Sequence, residues 1–89
     1  MDIRMNNQKL AKEYREELVG KRFRHFKGGI YKVLEIGIHS EDASCMVIYQ
    51  SENDDSLVWV RPIEMFESEV DKVKYPEVDQ KMRFECLDN

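Results

Sequence analysis

Trp59-Val60-Arg61-Pro62 places an indole and a guanidinium two residues apart, on one face of an extended segment. Proline biases the residue before it towards extended geometry, so Arg61 is held out along the strand. An aromatic wall with a guanidinium beside it suits a planar or anionic ligand. The same residues also fit a core tryptophan whose N–H meets a carbonyl, with Arg61 paired to one of the chain's many acids. A second cluster surrounds Gly28-Gly29, where Arg22, Arg24, Lys27 and Lys32 interleave with Phe23, Phe26 and Tyr31. Cations alternating with rings are what phosphate or single-stranded nucleic-acid binding uses. They are equally what a strand with one core face presents.

His39-Ser40-Glu41 holds a base, a hydroxyl and a carboxylate in succession. A catalytic triad needs those groups to converge in space rather than along the chain, and no nucleophile elbow precedes Ser40. A turn that satisfies local backbone donors is the plainer account. His25 and His39 lie 14 positions apart, near the far ends of two strands. No third His, Cys or Asp stands at a recognisable ligand spacing, so neither a metal nor another cofactor is expected. Cys45 and Cys86 lack CxxC spacing and sit in apolar runs, where a reduced thiol packs as a small hydrophobe. That usage points to the cytoplasm.

Eighty-nine residues make one domain's worth of chain, too small to enclose the multi-walled cleft most enzymes use. No run approaches the roughly 18 apolar residues of a membrane span, and Met1 to Asn7 lacks a signal-peptide core. The net charge of −4 conceals an asymmetry. Residues 1–32 carry nine Lys/Arg against four Asp/Glu, whereas residues 33–89 carry five against fourteen. A basic front half can attract anions locally. The acidic remainder argues against a broad duplex-binding face, which needs continuous positive charge.

These residues must be positioned by the elements around them. Leu10, Tyr14 and Leu18 recur at helical spacing, with Ala11 and Val19 widening the stripe, and predict a helix over 7–19. Asn6 or Asn7 would cap its start and Gly20 its end. Period-two runs follow at 22–26, 30–38, 44–50 and 57–61, broken by turn signals. In the second run Ile30, Leu34, Ile36 and Ile38 share a face, and Gly37 marks a bulge or bend. In the third, Cys45, Val47 and Tyr49 share one. Pro62 ends the fourth run, and 63–66 fits a single helical turn. Met82, Phe84 and Cys86 form either a closing strand or a loosely held tail. The expected architecture is mainly β, a small SH3-like barrel or a strongly bent antiparallel sheet behind an N-terminal α-helix.

Taken in order, Phe23-Arg24-His25-Phe26-Lys27-Gly28, Tyr31-x-Val33-Leu34, His39-Ser40-Glu41, Val47-x-Tyr49 and Trp59-Val60-Arg61-Pro62-x-x-Met65-Phe66 resemble a bacterial family, domain of unknown function 1653. The resemblance spans about residues 21–70, with the helix and the tail outside it. Phe23 stands where tyrosine is usual, and the acidic loop 51–56 replaces a shorter turn. The resemblance implies a small, mostly β domain and no activity. It does single out polar residues that a bare fold does not require: Arg24, His25, Lys27, His39, Ser40 and Glu41, with Trp59 and Arg61. Together with Tyr49 these are the candidate ligand contacts. The leading expectation is a non-catalytic binding module for a small anionic or planar ligand, or for a protein segment. Single-stranded nucleic-acid binding through the first hairpin is the second, and an enzyme using His39 and Glu41 the third. A homo-oligomer docked through the helix is the fourth.

Overall fold

Period-two alternation through most of the chain favours an antiparallel sheet, and the computed structural model, which describes residues 3–88, shows how it is assembled. The helix α1 (Ile3–Leu18) leads into β1 (Arg22–His25), β2 (Ile30–Ile38), β3 (Cys45–Ser51) and β4 (Val58–Pro62). A single-turn α2 (Ile63–Phe66), an irregular segment and β5 (Phe84–Cys86) follow. Strand order is β4-β3-β2-β1-β5, with every neighbouring pair antiparallel. The fold is therefore mainly β, a five-stranded sheet with an N-terminal helix. Among the described residues no ladder joins β4 to β5, so the sheet is not closed. It is nevertheless curled. Four strand spacings would separate the edges of a flat sheet by about 19 Å, yet the Arg61 guanidinium on β4 lies 5.6 Å from the Phe84 ring centre on β5. No helix of the described residues is long and apolar enough to cross a membrane.

β2 departs from the simple alternation of its sequence. Its ladder with β3 holds register at Val33 and Tyr49, passes over Leu34, and resumes at Glu35 and Ile48. One extra residue reverses the alternation beyond it. Val33 and Ile36 therefore share the core, at 1% and 7% exposure, while Leu34 is exposed; Ile38 keeps the face of Ile36, opposite Cys45, and is exposed at the end of the strand. The bulge is at Leu34 and not at Gly37, which pairs regularly with Met46. A Cβ at Gly37 would meet Ile48 Cδ1 at 3.3 Å, so space for a close neighbour is what glycine supplies there.

The helix also differs from its sequence pattern. It begins at Ile3, so Asn6 and Asn7 lie within it and are not its N-cap. Ala11, Tyr14 and Leu18 face the sheet, and Leu10 is 43% exposed. Tyr14 and Leu18 keep their expected places, and only Leu10 yields to Ala11, whose small side chain lets the helix approach β2 and β3 closely. Gly20 ends the helix with a φ of +86° and donates its N–H to the Val33 carbonyl. The Arg15 guanidinium grips Glu35 on β2 at 2.6 and 2.9 Å; the hydrogen bond from the Ile36 N–H, and then that from Arg15, lower this carboxyl's pKa.

Residues 67–83 carry little regular structure but are fastened throughout. The Val70 N–H donates to Lys81 O and the Arg83 N–H to Ser68 O, and Val70 is buried. Gln80 Nε2 donates to the carbonyls of Arg24 and Met82. The closing strand is formed: β5 pairs with β1, placing Phe84 opposite His25 and Cys86 opposite Phe23. Cys45 is buried, as its sequence suggests, but Cys86, although on the face of Phe23 and Phe84, is exposed at the end of the short β5.

Phe84 completes an aromatic core. It stacks on Phe66 at 4.2 Å, and Phe23 meets Phe66 edge-on at 5.2 Å. Replacing Phe84 with alanine should cost about 3–5 kcal/mol, whereas Leu10→Ala should cost below about 1 kcal/mol. Urea unfolding of the two variants checks this, and equal losses would contradict the packing described.

Candidate functional site

The concave side of the curled sheet carries a groove with two adjoining lobes that share His25, Lys27 and Arg61. One lobe, of about 460 Å³, is walled on its far side by Asp71, Lys74, Tyr75 and Arg83. The other, of about 350 Å³, is walled by Tyr31, Tyr49, Trp59 and Phe84.

Register explains the convergence. Trp59 pairs with Tyr49, and Arg61 with Val47, so both β4 residues stand on the face that carries the core side chains of β3. Tyr49 is 4% exposed and Trp59 48%, so the same row runs from core to rim across one ladder. Trp59 is a rim residue and not the core tryptophan its sequence also allowed. On β1, Phe23 and His25 face inward while Arg22 and Arg24 face away. His25 stacks on Phe26 at 4.6 Å and meets Phe84 edge-on at 4.9 Å.

Two classes of arginine result. Those on the outer surfaces are paired with carboxylates: Arg15 with Glu35, Arg22 with Glu52 and Asp88, Arg24 with Glu85. Those in the groove are held by neutral oxygens. Arg61 Nε donates to the Tyr49 hydroxyl at 3.1 Å and Arg83 Nε to Ser68 Oγ at 3.0 Å. Among the described residues neither has a carboxylate within ion-pairing distance. Lys27 and Lys74 lie 5.4 and 5.5 Å from the Tyr75 ring centre. Hydrogen bonding from Lys27, with the positive charge of both lysines, lowers the Tyr75 pKa. Among the described residues Asp71 is the one acid in the lining, and its Oδ1 accepts the backbone N–H groups of Val73 and Lys74.

His25 registers this environment. Its Nδ1 accepts the Lys27 backbone N–H at 3.1 Å, leaving the proton of the neutral ring on Nε2. Burial lowers its pKa first, and the cations of Arg61, Arg83 and Lys27 lower it further.

Five of the candidate residues, His25, Lys27, Tyr49, Trp59 and Arg61, meet in this groove. Four do not. Arg24 lies on the opposite face of β1, bonded to Glu85 and Gln80. His39, Ser40 and Glu41 occupy the exposed turn after β2, beyond about 26 Å of extended strand from Ile30. There His39 Nδ1 accepts the Glu41 N–H at 3.1 Å and lies 3.6 Å from Asp42. Sequence reasoning passed over Lys74, Tyr75 and Arg83. Their only signal is a repeat, in a segment read as tail, of the cation-beside-ring pattern around Gly28-Gly29. No group of three or more His, Cys, Asp or Glu among the described residues is placed to hold a metal ion.

A family model described as protein of unknown function (DUF1653) matches residues 21–86. The match reaches past residue 70 and takes in the segment that walls the cationic lobe. No curated protein and no solved structure matches the chain.

The lowered His25 pKa has a testable sign. In the unfolded chain His25 titrates near 6.5, above its folded value, so the unfolded state binds the extra proton between the two. The stability this contributes is complete above about 6.5 and is lost as pH falls through the folded pKa. An NMR titration should place the His25 midpoint below 6.5, and Arg61→Ala should raise it. A midpoint at or above 6.5 in the wild type would contradict the electrostatics described.

Proposed function

The chain belongs to the DUF1653 family, a description that assigns no activity, and we propose that it is a non-catalytic binding module whose groove takes a small anionic ligand. One observation carries the reading. In a chain of net charge −4, with 18 acidic residues, Lys27, Arg61, Lys74 and Arg83 share a groove in which Asp71 is the one acid among the described residues. Its arginines are held by hydroxyls, which orient a guanidinium without neutralising it. A concave, partly desolvated surface strengthens the field of such a cluster. Charge-assisted bonds from preset guanidinium forks are the strong kind.

The other readings have less support. The cations of the first hairpin diverge: Arg22 and Arg24 are neutralised by acids on the outer face, and only Lys27 reaches the groove. A nucleic-acid track along that hairpin is therefore not favoured. Catalysis by His39 and Glu41 would have to proceed on an exposed turn with no enclosing wall. For oligomerisation through α1, Leu10 is exposed among the described side chains, whereas Ala11 and Leu18 are buried against the sheet. We read the curled sheet as an incomplete SH3-like barrel whose open seam, between β4 and β5, is the groove, in a cytoplasmic bacterial protein.

Isothermal titration with pyrophosphate should show binding that weakens as salt rises. Arg61→Ala should lower the affinity roughly 10- to 100-fold, the scale of one hydrogen bond to a charged group. Lys27→Ala should weaken it too while leaving the Arg61–Tyr49 bond in place. Absence of heat with pyrophosphate, phosphate, sulfate and citrate alike would sink the proposal, as would wild-type affinity in both folded variants.

A further inference from the structure

We infer that the groove is shaped for a nucleotide unit, with a base against Trp59 and its phosphate among Arg61, Lys27 and Arg83. The inference rests on the anion-binding reading and adds the second half of the ligand. The two lobes are chemically unlike. One gathers Lys74 and Arg83, the other Tyr31, Trp59 and Phe84, and Lys27 and Arg61 stand between them.

An inorganic anion would occupy the cationic lobe and leave the aromatic wall without a role. A purely apolar ligand would leave the cations facing no counter-charge. A nucleotide presents a planar ring and a charged group separated by a sugar. Trp59 and Arg61 reproduce that separation, being two residues apart on one strand face, about 7 Å along β4.

Trp59 is also the right kind of surface. Its neighbour across the ladder, Tyr49, is 4% exposed, yet Trp59 keeps 48% of its own surface in solvent at the mouth of the lobe. Arg61 lies over the Phe84 ring at 5.6 Å and is bonded to Tyr49, so the guanidinium is preset before any ligand arrives. Stacking on an exposed ring accepts any base, because every base has a π-face. The same chemistry belongs to a free mononucleotide and to the phosphorylated end of a single strand.

Trp59 is the only tryptophan in the chain, so tryptophan emission excited selectively over tyrosine reports on this position alone. The wild-type protein is titrated with inorganic phosphate, a nucleoside, the matching nucleoside 5′-monophosphate and a 5′-phosphorylated oligonucleotide. Fluorescence and calorimetry are followed together for purine and pyrimidine members. One phosphorylated nucleotide species should quench Trp59 and bind at least about ten-fold more tightly than inorganic phosphate, the scale of one base stacked on an aromatic ring. Trp59→Leu should remove that excess and leave phosphate binding intact, whereas Arg61→Ala should weaken both. The tighter of the mononucleotide and the oligonucleotide identifies the source. Nucleotides binding no better than phosphate, or an excess that survives Trp59→Leu, would overturn the inference and leave the anion site standing. Failure of every phosphate-bearing probe to bind would overturn both.

Discussion

The ring of Phe84 lies parallel to that of Phe66, with centres 4.2 Å apart, and it is met edge-on by His25, Tyr49 and Tyr31. Through this contact β5 is drawn against the face of the sheet that carries β4. Phe66 anchors α2, which follows directly from β4, so one stacked pair ties the two edge regions of an open sheet together. The curl, the groove and the spacing of its lining all depend on it. The floor of the groove is thus continuous with the core. A groove built this way is preset by packing, since rings that fill a close-packed interior have little room to reorient.

The distribution of charge follows from the same geometry. Arg15 on α1 and Arg22 and Arg24 on β1 find acids nearby, as expected in a chain whose acidic residues outnumber its basic ones. Arg61 and Arg83 point to the concave side, where the neighbouring oxygens are those of Tyr49 and Ser68. Surface ion pairs of the outer kind add little to stability, but they make the outer arginines poor binding groups by neutralising them. The two in the groove keep their charge. His25, neutral and wedged between Phe26 and Phe84, senses that charge without opposing it.

Much of this was legible residue by residue. Strict alternation in Cys45, Val47 and Tyr49 fixed the inner face of β3, Pro62 marked the end of β4, and Gly20 marked the end of α1. In β2 the alternation misled, because a bulge at Leu34 shifts the phase and nothing in Ile30 to Ile38 says which residue is extra. In α1 the most apolar candidate, Leu10, lost its place to Ala11, because packing distance and not hydrophobicity decided which residue meets the sheet. The site was legible in part. Trp59 and Arg61 share a face by period two, but His39-Ser40-Glu41 sat equally well in a list of polar motifs, and only the length of β2 sets it apart from them.

The sequence by itself determined that Trp59 and Arg61 stand together, that a basic turn with aromatic neighbours follows β1, and that proline holds Arg61 extended. Those are local facts, set by strand period and backbone sterics over a few residues. Tertiary structure alone decided that the turn and the Trp59–Arg61 pair form one surface, that Arg24 belongs to the other face, and that a segment resembling a tail supplies a wall. These are long-range facts. They depend on β5 returning to pair with β1 and on one aromatic stack that curls the sheet, and no spacing along the chain encodes either.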